Sequence, residues 1–439
     1  MTQRNDAYAR SLAALLRIET ISSAEDTDLS KFRTFHALLE QTFPAIFAAV
    51  EREEFDGSLL LRWRGTDSGK QPVLLMSHHD VVEATGAWTH EPFSGDIADG
   101  KVWGRGALDT KGSLWAMLQA ADELAAEGFA PDCDVYFSTA CNEECSGAGA
   151  SAISQTLHAR GIRFSMTLDE GGMITQSPID GASGTFAMVG VGEKGYADLK
   201  FIARSAGGHA STPDNNTPLV RLGRFMAALE RSRCFDLAIS PTVQEMLRRI
   251  APSMRFPLSF ICAHADIFRP LLLRRLPRLS PAAGAMVKTT LAFTMAQGSQ
   301  GHNVLPQEAW VIGNMRFSPH QGQKASIDAV RALAAKFDVE TEVMEYGIDS
   351  PVASFEAAPF RLVEEAVSAI FPGIPTVPYV MNGATDSRYY ARYCENCLRF
   401  SPLVVTRAQF ESIHAIDENV DVATLAPAVD FYKYILRRV

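Results

Sequence analysis

The stretch "VLLMSHHDVV", Val73 to Val82, decides what kind of fold this chain adopts. A short apolar run closed by polar residues is what a strand buried on both faces of a parallel sheet requires. Its surroundings agree. "TKGSLWAMLQAADELAAEG", Thr110 to Gly128, has helical periodicity, with a glycine placed to stop it. "DVYFSTA" and "RFSMTL" are further strand candidates, separated by the helix-like "AGASAISQTLHARG". Alternation of this kind predicts an α/β sheet with helices on its faces.

The rhythm changes near Gly192. "ADLKFIARS" alternates as a half-exposed strand and "TPLVRLGRFMAALERS" follows as a helix. "VKTTLAFTMA", "AWVIGNMRF", the helix "KASIDAVRALAAKF" and the strand "VETEVMEY" complete a β-α-β-β-α-β order, the ferredoxin-like signature. A long insertion, about 234–286, separates its first helix from its second strand. After Ser350 the α/β style returns, with helices "APFRLVEEAVSAIF" and "ATLAPAVDFYKYILRRV". The expected organisation is a catalytic domain in two pieces, 1–191 and 350–439, interrupted by a smaller domain over 192–349. Within the insertion, "FRPLLLRRLPRL" is basic and apolar. Its two prolines and the acidity of the chain favour a locally packed helix over a membrane-docking one.

With 439 residues, 47% hydrophobic and 21% charged, the chain can bury sizeable cores and is not of disordered composition. A formal charge of −10 argues against a nucleic-acid surface. The first residues show no apolar core of signal-peptide type, and no run reaches the ~18 apolar residues of a membrane span. Seven cysteines, an odd number in a long chain, fit a reducing cytoplasm better than a disulfide framework. Cys394 and Cys397 form a lone CxxC without a second pair, read as free thiols at a turn. "GRGALD" lacks the third glycine of a dinucleotide fingerprint, and no GxSxG or Walker lysine loop is present.

Ligands of open α/β sheets gather beyond the carboxyl ends of the strands. There the first strand delivers His78, His79 and Asp80. "DVYFSTA" delivers Glu143 and Glu144, and "RFSMTL" delivers Asp169 and Glu170. Asp109 lies just before a helix N-terminus. So many carboxylates would repel one another and bind protons more tightly unless a divalent cation intervened. In extended backbone, residues i and i+2 share a face, so His78 neighbours Asp80 while His79 points away. A metal-binding imidazole commonly donates its second N–H to a carboxylate. An isolated HxD is most often a capped turn, but this one faces three acidic clusters, and His78 is the expected ligand. Of Glu143 and Glu144, one can hold metal while the other accepts a proton from the attacking water. A solvated acidic turn is the plainer alternative. Cys141 and Cys145 read as small packed residues rather than zinc thiolates.

Taken in order, "SHHDVV", "WGRGALDTKG", "NEECSG", "LDEGG", "GGHASTP", "GHNVLP", "GATDSR" and "IHAIDE" resemble the aminoacylase/carboxypeptidase family of co-catalytic dizinc metallopeptidases. They are most similar to its carboxypeptidase S (Gly-Xaa carboxypeptidase) and N-acyl-amino-acid hydrolase branch. The resemblance implies a zinc-exopeptidase-like three-layer catalytic domain and an inserted ferredoxin-like lid that also dimerises. It implies two zinc ions, with cobalt or manganese as substitutes. Asp109 would bridge both, His78 and Asp169 would complete one site, and Glu144 with His414 the other. Asp169 is preferred over Glu170. Glu143 resembles the general base and acid, and Asp80 the residue orienting His78. His209 resembles a histidine that polarises the scissile carbonyl, often across a dimer interface. Asn303, Arg316 and Arg388 resemble residues near the substrate's carboxylate or the oxyanion. Two positions depart from the family pattern, Asn142 before the glutamate pair and Glu83 after "DVV". The implied activity is cleavage of an amide bond next to a free C-terminal amino acid in short peptides, or hydrolysis of N-acyl amino acids, by a homodimer, and a non-catalytic metal- or peptide-binding protein is the remaining alternative.

Overall fold

Strand Val73–His78 is buried at every position and lies inside a ten-stranded sheet. The structure is a computed structural model and describes residues 3–439 apart from 24, 26, 27, 146 and 349. Strands Val135–Ala140 and Met166–Asp169 flank Val73–His78 and run parallel to it. The carboxyl ends of three adjacent strands therefore open onto one rim. Successive side chains leave on opposite faces, as the pleat demands. Val73 and Leu75 join one core with Leu59, Leu61, Val135 and Phe137. Leu74 and Met76 join another with Leu60, Tyr136, Ile153 and Leu157.

The first face is covered by helices Gln3–Leu16, Lys111–Ala126, Ala358–Ile370 and Val422–Leu436. The second is covered in part by helix Ala148–Ala159. This is a three-layer α/β arrangement, as the sequence leads one to expect. Helix Lys111–Ala126 begins directly after Asp109 and helix Ala148–Ala159 shortly after Glu144. The acidic residues thus stand where strand ends turn into helix starts.

A second sheet is antiparallel, in the order Thr290–Gln297, Glu308–Phe317, Gly195–Arg204 and Glu340–Tyr346. Helices Pro218–Arg231 and Gly322–Ala335 share its core. This is the ferredoxin-like arrangement. The two sheets are joined almost without a linker. Strand Thr185–Glu193 of the large sheet passes through Lys194 straight into Gly195–Arg204. Only glycine fits at 195, where a Cβ would sit 1.9 Å from the Phe317 ring.

The 234–286 insertion is helical and folds back onto the large sheet. Helix Pro241–Ile250 spaces Val243, Met246, Leu247 and Ile250 on one apolar face. That face buries itself with Phe186, Met188 and Val377 of strands Thr185–Glu193 and Thr376–Met381. No helix among the described residues is long and apolar enough to cross a membrane.

Candidate active site

His78 closes its strand with its ring turned to the rim. Its Nε2 lies 3.0 Å from Asp109 Oδ1. His414 arrives from the far end of the chain, with its Nε2 3.0 Å from Asp109 Oδ2 and 3.2 Å from Glu144 Oε1. One carboxylate thus offers an oxygen to each of two imidazoles. Ligand atoms of His78, Asp109 and Glu144 all lie within 4.8 Å of one another. His414 holds a left-handed backbone, φ 59°, uncommon outside glycine and frequent at functional sites.

His79 leaves the same strand on the opposite face. Its ring stacks on Phe35 with centroids 5.2 Å apart, and its Nδ1 meets the Thr139 hydroxyl at 2.9 Å. It is a core residue whose basicity burial depresses well below the usual range.

Asp80 serves two neighbours. Its oxygens accept the backbone N–H groups of Glu143 and Glu144, each at 3.1 Å, and the Ser22 hydroxyl donates to it at 2.6 Å. His78 Nδ1 lies 3.0 Å from the Asp80 carbonyl oxygen and 3.4 Å from Oδ1. With Nδ1 engaged there, Nε2 is the nitrogen left to face the cluster.

Glu418 does the same for Asp109. It is fully buried and accepts N–H groups from Gly106, Leu108 and Asp109 at 3.0, 2.8 and 3.1 Å, together with Arg105 Nη1 at 2.8 Å. The quoted motif "IHAIDE" contains it, but nothing local to that motif reveals that its partner is the Asp109 loop.

The charges show what the cluster wants. Burial acts to raise the Asp109 carboxyl, yet hydrogen bonds from His414 and His78 outweigh it and hold it below the usual range. The same contacts with Asp109 and Glu144 push His414 up to about 10. Burial works against a charged His78, but Asp109 and Asp80 raise it well above the ordinary value. Glu143 is pushed well up, by burial and by the charges of Asp386 and Glu144. Asp386 rises to about 7, mainly through burial, and neither of its oxygens has a hydrogen-bond partner among the described residues. A field that favours protons on the two imidazoles and on Glu143 favours a cation at that point. Imidazole nitrogens and carboxylate oxygens, with one carboxylate between two histidines, form a donor set suited to a pair of divalent ions such as zinc. The residues fit the metal that the sequence implies.

The two acids of "LDEGG" part company. Asp169 accepts N–H groups from Glu170 at 2.9 Å and Ser387 at 2.8 Å, one on each oxygen. Glu170 is raised well above the carboxylate range by burial and, next, by the charge of Asp109, with His78 acting in the opposite sense. Backbone N–H groups thus orient the Asp169 carboxylate, and each of its oxygens keeps a further lone pair. The 3₁₀ turn Asp386–Tyr389 brings Arg388 Nη1 to 3.7 Å from Glu143 Oε1.

Other expected residues lie apart from these contacts. His209 is exposed in a two-stranded ribbon, Gly208–His209 with Val304–Leu305, its Nδ1 2.6 Å from the Ser211 hydroxyl. The Asn303 carbonyl accepts the N–H of Ala210 at 2.9 Å in the same ribbon. Arg316 lies over the Tyr196 ring, 5.3 Å from its centroid. Asn142 caps helix Ala148–Ala159 through Gly149 at 3.0 Å. All seven cysteines are free thiols, and Cys394 and Cys397 are buried.

Fold and site together define a metal-dependent hydrolase of α/β architecture with a ferredoxin-like insert. The model of peptidase family M20/M25/M40 matches residues 74–438, and the chain belongs to that family. It is 31% identical over 443 residues to "Probable carboxypeptidase S-like 2" of Dictyostelium discoideum, covering 98% of this chain and 84% of that one. It is 30% identical over 433 residues to "N-fatty-acyl-amino acid synthase/hydrolase PM20D1" of Xenopus tropicalis, covering 97% and 84%. Its fold is similar to that of an M20 family metallo-carboxypeptidase, Sso-CP2, from Sulfolobus solfataricus. The TM-score is 0.70 at 15% identity, over 99% of each chain.

Proposed function

We propose that the protein is a dizinc amidohydrolase that releases an amino acid bearing a free carboxylate, acting as a carboxypeptidase or dipeptidase on short peptides. One observation carries this reading: Asp109 offers its two oxygens to two histidines, each at 3.0 Å, with Glu143 and Glu144 alongside. Asp109, His78, Glu144 and His414 would hold the ions, with Asp109 placed between the two imidazoles. Asp169 would complete the His78 side, its two oxygens oriented by the N–H groups of Glu170 and Ser387 and each keeping a further lone pair for a cation. Divalent cations bound there supply Lewis-acid activation of water and of the scissile carbonyl. Glu143 takes the proton of the attacking water and hands it to the leaving amine, a task suited to a carboxylate that burial holds well above its ordinary range. Asp80 keeps Glu143 and Glu144 in register. Arg388, beside Glu143, neutralises the carboxylate of the departing amino acid.

His209 and Asn303 share one exposed ribbon, which supports their reaching the active site of a second copy in a homodimer. Free thiols at all seven cysteines support a reducing, cytoplasmic setting.

The second reading is hydrolysis of N-acyl amino acids. It is favoured by the relative named for that activity and by the apolar helical block of the insertion, which packs against Tyr379. The Tyr379 hydroxyl donates to the Gly171 carbonyl at 3.5 Å, next to Glu170. Rates on Gly-Leu, an acetylated amino acid and a long-chain N-acyl amino acid, with and without a chelator, rank the readings. No metal-dependent hydrolysis of any of them would refute both.

A further inference from the structure

We propose that the face formed by residues 255–279 docks the protein on anionic lipid surfaces. This goes beyond the hydrolytic reading and rests on different residues. The prolines of "FRPLLLRRLPRL" do not keep it from being a helix. Pro270 occupies the first turn of helix Arg269–Leu279, where no N–H is needed, and Pro277 lies close to its end. Nor is the helix fully packed. Leu272 and Leu276 face inward, whereas Leu271, Arg274, Arg275 and Arg278 recur at spacings of three and four and share the outward stripe.

Of the sixteen large apolar side chains exposed among the described residues, five fall between Phe256 and Leu279. Phe256 is 81% exposed, Ile267 68% and Leu279 61%, with Phe260 and Leu271 also in solvent. Phe260 meets Phe268 edge-on at 5.8 Å, which ties the short helix Leu258–Ala263 to the start of the longer one. Single exposed apolar residues need no explanation, but a concentration of them marks an interaction surface.

Charge identifies the partner. The stretch 251–286 holds Arg255, Arg269, Arg274, Arg275 and Arg278 against one acid, Asp266, in a chain of net charge −10. All five arginines are exposed, and none has an ion pair among the described residues. A chain this acidic is repelled by an anionic surface unless it presents a locally positive face. Arginines at headgroup level with phenylalanine, isoleucine and leucine reaching into the acyl boundary are the side chains of interfacial docking.

The test is co-sedimentation of the full chain with vesicles of phosphatidylcholine alone and of phosphatidylcholine with phosphatidylglycerol, at low and high salt. Binding is expected only with phosphatidylglycerol and is weakened by salt. The R274Q/R275Q/R278Q variant should lose about a hundredfold in partition coefficient, at roughly fivefold per charge. F256S/I267S should lose a comparable amount, with thermal midpoints unchanged to show that both variants fold. Equal binding to both vesicle types, no binding to either, or wild-type binding by both variants overturns the proposal. So does an arginine variant that changes only the oligomeric state in sedimentation, which would make the face a contact between copies.

Discussion

At the scale of single residues, the proposed mechanism gives Glu143 the proton and the ligand set the metal. Glu143→Gln keeps shape but cannot accept a proton. It should lower kcat by about 10²–10⁴-fold while elemental analysis still finds the metal complement of the wild type. Unchanged turnover would remove Glu143 from the mechanism. His78→Ala should lose most of one metal equivalent, whereas His79→Ala should keep both and lose about 3 kcal/mol of stability from the hole beside Phe35. Chelator-free dialysis followed by metal counting separates the neighbours. A third prediction concerns pH. His36 is wholly buried, edge-on to the His79 ring at 5.1 Å, and burial lowers its pKa. Below the unfolded value near 6.5 the unfolded chain takes up a proton that the folded chain refuses, so stability falls as pH drops through that range. The expected slope is up to about 1.4 kcal/mol per pH unit. His36→Leu should flatten the melting temperature between pH 7 and 5, relative to wild type. The choice between His78 and His79 was legible because strand periodicity fixes it. The choice of Asp169 over Glu170 rests on the family resemblance instead, because the strand ends at Asp169 and the pleat no longer dictates direction.

At the scale of elements, the active site consists of strand ends whose turns are tied to distant segments. The strands and helices were readable from periodicity, and so was the rim on which they place their acids. The ties were not, since a carboxylate that collects backbone N–H groups from a loop leaves no local pattern. Glu418 reaches the Asp109 loop across 309 positions of sequence. Replacing it with glutamine preserves volume but removes a charge and turns an acceptor oxygen into a donor facing N–H groups and the Arg105 guanidinium. Glu418→Gln should therefore cost about 3–5 kcal/mol, the range seen when one partner of a buried pair is removed. Because Asp109 moves with that loop, metal affinity should fall too. Denaturant unfolding with metal titration reads both. A variant as stable and as metal-avid as wild type would leave Glu418 without a positioning role.

At the scale of the whole molecule, the question is what fixes one sheet against the other. The chain leaves the large sheet at Glu193 and returns near Ser350, and the Ala353 N–H bonds the Val191 carbonyl at 2.7 Å, so the two crossings lie side by side. Arg399, fully buried, binds both. Its Nε donates to Glu193 Oε2 at 3.2 Å, its Nη2 to the Ser350 hydroxyl at 3.0 Å and its Nη1 to the Cys397 carbonyl at 2.7 Å. Glu193 Oε2 also accepts the Thr385 N–H at 3.1 Å, just before the turn that presents Ser387 to Asp169 and Arg388 to Glu143. One buried ion pair thus links the crossing point to both sides of the cluster. Arg399→Leu strands the Glu193 charge and should cost about 3–5 kcal/mol. Adding Glu193→Gln should return part of that loss, giving a coupling energy of at least about 1 kcal/mol in a double-mutant cycle. Arg399→Lys keeps the charge but cannot make three directed contacts at once. It should fold near wild-type stability yet show a lower kcat, because the turn bearing Arg388 loses its fixed orientation. Additive single effects, or a lysine variant with unaltered kcat, would mean that the pair only fills the core and that the sheets are oriented by something else.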